Sequence, residues 1–160
     1  MLEDMQKLSR ASMDDLRCSL DNLRTSGLGQ GPLVAALQTL ATEISQRYAF
    51  SVTCQLSAGA DSLSPILAEA LGRFVQEGLT NVGRHARARK VQVNLQLLPK
   101  EIFLQVSDDG MGLPPDAENK PGHYGLRGLR ERVEGLGGTF TLAKASGSGT
   151  VIAARLPLIA

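Results

Sequence analysis

Gln76-Glu77-Gly78-Leu79-Thr80-Asn81-Val82-Gly83-Arg84-His85-Ala86 is the stretch on which the fold turns. It closes a segment from Pro65 to about His85 in which Leu67, Leu71, Phe74 and Val82 recur at helical spacing. Ser64-Pro65 supplies an N-cap followed by proline at the first helical position, so the segment predicts one long helix. On its wheel Glu69, Arg73, Gln76, Thr80 and Arg84 take one side. Glu77, Asn81 and His85, each four residues apart, fall beside Phe74 and Leu71 on the inward side. Polar groups there are costly to bury alone, so they call for a cation, a ligand or a polar partner. A helix end that opens to water accommodates the same pattern equally well.

Downstream, Val91, Val93, Leu95 and Leu97 alternate with Gln92, Asn94 and Gln96, and Ile102, Leu104 and Val106 resume the alternation after Pro99-Lys100. These are two half-buried strands, read as a hairpin. Asp108 continues the inward parity and is followed by Gly110 and Gly112. An inward carboxylate flanked by glycines can accept a hydrogen bond from the exocyclic amine of a base, although Asp-Asp-Gly alone reads first as a turn. A polar stretch from Pro114 to Pro121 predicts a mobile loop. Gly122-His-Tyr-Gly125-Leu126-Arg-Gly128 then leads into a helix over Leu126 to Leu136, and free N–H groups at such a helix start suit phosphates. Gly137-Gly138 ends that helix, and strands at about Thr139 to Ala143 and Thr150 to Leu156 follow. Gly147-Ser-Gly-Thr150 between them serves as a hairpin turn as readily as a ligand loop.

Upstream, Leu2, Met5, Leu8, Leu16, Leu20 and Leu23 mark one amphipathic helix to Arg24, and TSGLGQGP, residues 25–32, breaks it. Helical spacing returns from Leu33 to Tyr48, and Phe50 to Leu56 is a short β-like run. The boundary falls near Gly29, giving a helical extension over residues 1–28 and a domain over residues 29–160. Strands and helices without a regular parallel rhythm predict an α/β (α+β) two-layer sandwich. Its mixed, mostly antiparallel sheet is covered on one face by helices.

Composition narrows the partners. With 17 Lys and Arg against 16 Asp and Glu the net charge is +1, so no global field draws the chain to nucleic acid or an anionic membrane. Cys18 and Cys54 fit neither a zinc pattern nor a disulfide framework, which makes a reducing cytoplasm the default. No apolar run reaches the roughly 18 residues of a membrane span.

Taken in order, these motifs resemble the GHKL ATP-binding fold shared by histidine kinases, gyrase, Hsp90 and MutL. Residues 76–86 look like the N box of that fold and Asp108-Asp-Gly110-Met-Gly112 like its D-x-G-x-G box. Gly122 to Gly128 look like its second glycine box and Gly149-Thr150 like its last. Gly122 to Arg132, GHYGLRGLRER, is similar to the histidine kinases that pair with NarL-type, LuxR-like response regulators. Leu16 to Arg24 looks like the second helix of their dimerisation domain.

The resemblance implies that Asn81 ligates Mg²⁺ bridging the ATP phosphates, that Glu77 is the base or polariser for an attacking histidine, and that Asp108 binds the adenine amine. Arg84 and His85 would lie near the phosphates, and Gly110, Gly112, Gly122, Gly125, Leu126, Gly128 and Thr150 would line the nucleotide site. It implies a homodimer in the full-length kinase, and a cytoplasmic location with the parent open to anchoring in the inner membrane. Arg127, Arg130 and Arg132 read as a solvated helix face. No histidine besides His85 and His123 is present, and both sit in nucleotide motifs, so the phosphorylated histidine is expected on a helix upstream. The rivals are another GHKL ATPase, an anti-sigma serine kinase, or a non-catalytic docking module.

Overall fold

The β2–β3 hairpin organises the molecule. In a computed structural model describing residues 1–6, 9, 12–13, 16, 31–114, 116–120 and 124–158, β2 (Lys90–Leu97) and β3 (Glu101–Asp108) pair antiparallel with Val93 opposite Val106 and Leu95 opposite Leu104. The alternation seen in the sequence becomes one buried face, because successive strand residues point to opposite sides. β1 (Ser51–Leu56) adds parallel to β2, and β5 (Thr150–Pro157) adds antiparallel to β3, setting Ile152 against Val106. β4 (Thr139–Lys144) completes the order β1-β2-β3-β5-β4.

Three helices cover the apolar face. α1 (Leu33–Tyr48) buries Leu33, Leu37, Ala41 and Ile44, a stripe at near-four-residue steps. Its first turn is held by the Val34 N–H donating to Asp61 Oδ1 at 2.8 Å. α2 (Pro65–Asn81) starts as expected, with Ser64 Oγ accepting from the Leu67 N–H. α3 (Tyr124–Gly135) buries Leu126, Leu129 and Val133 and ends at Gly137, whose φ of +78° favours glycine. Phe74 on α2 is 1% exposed and meets Phe140 edge-on, ring centroids 6.1 Å apart. Burying one such side chain contributes roughly 1.5–3 kcal/mol.

One expectation changes. α2 lies between α1 and α3, so Gln76 and Thr80, assigned to the outer side of the wheel, are buried. After Pro114, Ala117–Asn119 form a 3₁₀ turn and Ala117 is completely buried.

At the amino terminus residues 2–6, 9, 12–13 and 16 are helical, and Leu2, Met5, Met13 and Leu16 are exposed. Leu8, Leu20, Leu23 and the boundary near Gly29 lie outside the described residues, as does Cys18.

Candidate nucleotide site

The α-helix does not run to His85. It ends at Asn81, and Val82–Ala86 continue as a π turn closed by Arg87 at φ +51°. Such turns rotate side chains out of α register. Glu77 and Asn81 therefore stay at the edge of the core, whereas His85, expected on the inward face, is exposed at the rim of the cavity described below. Gly83 permits this turn: a Cβ there would lie 2.3 Å from the Tyr48 ring.

Burial pushes the Glu77 carboxyl above its usual range, while Arg84 and the Asn81 amide pull it partly back. The Asn81 amide is near enough to Glu77 to exert that pull, yet its buried Nδ2 completes no hydrogen bond among the described residues. A buried polar group in that state is costly unless a further ligand arrives.

β3 delivers Asp108 to the other wall, and it is 6% exposed. Asp108 Oδ1 accepts from the Gly110 N–H at 2.8 Å, and backbone at Thr150 donates to the same carboxylate. Burial still dominates and raises its pKa. The turn before β5 wraps this residue. Gly149, at φ +101°, comes so close that a Cβ would lie 1.9 Å from the Asp108 carbonyl oxygen. The Gly147-to-Thr150 turn is thus shaped to Asp108 and is more than a strand connection. Gly112 takes φ +80°, Leu113 N–H donates to Thr150 Oγ1 at 3.0 Å, and Met111 N–H donates to the Ala86 carbonyl at 2.8 Å. Gly110 packs on that same carbonyl. Asp109, by contrast, points outward and accepts from the Arg89 and Lys90 N–H groups, which hold its carboxyl below the usual range.

Between these walls lies a cavity whose empty space, open mouth included, is about 370 Å³. Asn81, His85, Asp108, Gly112, Leu126 and Thr150 line it. Sequence reasoning misses its apolar lining, Gly78, Val82, Ala86, Val106, Leu113 and Ile152. The inward parity of Val106 and the four-residue steps from Gly78 to Ala86 are the available signals. Glu77 and Arg84 sit beside Asn81 without lining the cavity, Gly110 supports its edge, and Gly125 packs on Glu77. Gly128 lies on the exposed side of α3, facing open space, and Gly122 lies outside the described residues. Arg127 is solvated as expected, but Arg130 is not: it grips Glu118, the Phe140 carbonyl and the Phe140 ring.

A sheet covered on one face, with an apolar slot that ends on a buried carboxylate and opens beside an N-terminal helix turn, defines an α/β sandwich of the nucleotide-binding kind. The chain belongs to the histidine kinase-, DNA gyrase B- and HSP90-like ATPases, whose family model matches residues 67–160. The signal transduction histidine-protein kinase/phosphatase UhpB of Salmonella typhimurium is 33% identical over 96% of this chain and 30% of its own length. The oxygen sensor histidine kinase NreB of Staphylococcus carnosus is 30% identical over 91% of this chain and 42% of its own. The chain thus spans less than half of these relatives. The blue-light activated histidine kinase of Erythrobacter litoralis EL346 superposes with a TM-score of 0.73 at 27% identity, over 91% of this chain and 54% of that one. The resemblance to the histidine-kinase branch of the fold is borne out.

Proposed function

We propose that this chain is the ATP-binding catalytic domain of a sensor histidine kinase, which transfers the γ-phosphoryl group of ATP to a histidine on a helical dimerisation domain. The observation that carries the proposal is Asp108. A carboxylate offers about four lone-pair sites. Backbone at Gly110 and Thr150 uses part of that capacity, leaving the buried carboxylate able to accept from an exocyclic amine inside a largely apolar cavity. Val82, Ala86, Val106 and Ile152 form walls suited to the faces of a base.

Asn81 fits Mg²⁺ through its Oδ1, since the ion prefers few protein ligands plus phosphate oxygens, and its buried Nδ2, which completes no hydrogen bond among the described residues, is left to donate to a phosphate oxygen. Among the described residues no group of three or more His, Cys, Asp or Glu could hold a metal alone, so the phosphates would complete the shell. Bound there, the ion would neutralise charge on the β- and γ-phosphates. Arg84 and His85 would flank the same phosphates. Glu77, one turn before Asn81, would take the imidazole proton as nitrogen attacks phosphorus and the bond to the leaving ADP oxygen breaks. Its raised pKa brings it closer to the range that suits a general base. Residues 1–28 would belong to the dimerisation domain of a homodimeric parent and residues 29–160 to the catalytic domain, with a NarL/LuxR-type regulator receiving the phosphoryl group. The cytoplasm is the proposed location; among the described residues no helix is long and apolar enough to cross a membrane.

Calorimetric titration of a non-hydrolysable ATP analogue, with and without Mg²⁺, tests this. Asp108→Asn should weaken binding roughly tenfold or more, the cost of one charge-assisted hydrogen bond. Asn81→Ala should abolish the Mg²⁺-dependent part. Unchanged affinity in both variants sinks the site. With a histidine-bearing helical domain supplied, label from ATP should reach that histidine; label on serine instead would favour a serine kinase.

A further inference from the structure

Leu113, on the segment 113–120 that leaves β3, forms part of the cavity wall, as does Leu126 on α3. The described residues of that segment have two polar attachments at opposite ends. At one, Leu113 N–H donates to Thr150 Oγ1. At the other, Arg130 clamps Glu118 in a fork: Nε to Oε2 and Nη2 to Oε1, both at 2.6 Å. Between them Ala117 is fully buried.

Arg130 is itself held from three sides. Its Nη1 donates to the Phe140 carbonyl at 3.1 Å, and its guanidinium lies 4.8 Å from the centroid of the Phe140 ring. Glu134, one turn on, adds a longer contact at 3.4 Å. The pair is not a solvated surface contact, since the Glu118 side chain is 14% exposed and that of Arg130 is 35% exposed. A planar fork on a carboxylate fixes direction as well as distance, which a lysine cannot do. Arg130 also stands four residues after Leu126, one turn along the same helix face.

We infer that Glu118 and Arg130 are a positioning pair that locks residues 116–120 to α3 and so sets the spacing of the Leu113 and Leu126 walls of the cavity. The geometry stands by itself; the consequence for ATP rests on the function proposed above.

The test uses Glu118→Gln, Arg130→Gln, Arg130→Lys and the Glu118→Gln/Arg130→Gln double variant. In nucleotide-free protein, exchange of the Leu113 and Ala117 amides should speed up roughly tenfold in every single variant, Arg130→Lys included. The double variant should be no faster than the singles, because either change alone breaks the fork. Amides of Val106 and Ile152 in the sheet should keep their protection, which separates local release from general destabilisation. The dissociation constant for the ATP analogue should rise by a similar factor. Unchanged exchange at Leu113 and Ala117, additive effects in the double variant, or loss of protection throughout the sheet would each overturn the inference. If the parent chain binds no ATP analogue, the proposed function fails, and the exchange data still decide whether the pair positions the segment.

Discussion

The Glu77 carboxylate rests on the Cα of Gly125, so close that a Cβ added to Gly125 would lie 1.7 Å from Glu77 Oε1 and 2.4 Å from its Cδ. The obstructing atoms are the end of a flexible side chain, so Glu77 can swing aside without unpacking α3. Gly125→Ala should therefore leave thermal stability within about 1 kcal/mol. Phosphoryl transfer to a supplied histidine domain should fall by roughly one to two orders of magnitude, the scale of a misplaced general base. Single-turnover labelling beside calorimetric affinity checks this. Equal losses in rate and affinity would argue against a role confined to Glu77.

Buried carboxylates give this domain an unusual acid profile. Asp108 and Glu77 are both raised above their ordinary values of 3.8 and 4.5. Their contribution is fully present below those ordinary values and is lost as pH rises through the raised ones. Asp109 and Glu118 are lowered, so theirs is present above 3.8 and 4.5 and is lost as pH falls through their lowered values. In nucleotide-free protein, the stability of Asp108→Asn relative to the parent should increase as pH rises from the ordinary carboxylate range toward neutrality. Scanning fluorimetry across that range measures it. A difference independent of pH would mean that Asp108 is not desolvated.

Gly83→Ala places a methyl group within 2.3 Å of the Tyr48 ring, whose Cγ cannot retreat without moving the end of α1. Overpacking of this kind costs about 1–3 kcal/mol. Urea denaturation should show that loss, and it should largely vanish in a Tyr48→Ala background, where the ring is absent. A full loss in both backgrounds would place the constraint in the π-turn backbone.

Gly128 offers the opposite case, since a Cβ there meets nothing within 4 Å. Alanine in an exposed helix position should stabilise the fold by roughly 0.5–1 kcal/mol. If phosphates approach that turn, ATP-analogue affinity should fall severalfold in the same variant while stability rises. Unchanged affinity would remove Gly128 from the site.

Several of these residues are legible in the amino-acid sequence alone. Asp108 stands out because its strand parity puts a carboxylate where Ile102, Leu104 and Val106 put apolar groups, and it is buried. Asn81 stands out the same way on a helix. Arg130 reads with Arg127 and Arg132 as a wet helix face, because helical spacing records which side faces inward but carries no trace of Glu118, twelve residues away in the chain. His85 leaves the inward position that the wheel gives it because a five-residue π turn breaks the α period on which the wheel depends.

The sequence by itself determined the kinds of element, their order, the buried face of each strand and the inward carboxylate, since all of these follow from local periodicity and stereochemistry. Tertiary structure alone decided the strand order β1-β2-β3-β5-β4, the fit of Gly149 around Asp108, the contact of Gly125 with Glu77 and the clamp between Glu118 and Arg130. Those depend on which distant segments meet once the apolar face is covered, and a local pattern fixes what must be buried without naming what will bury it.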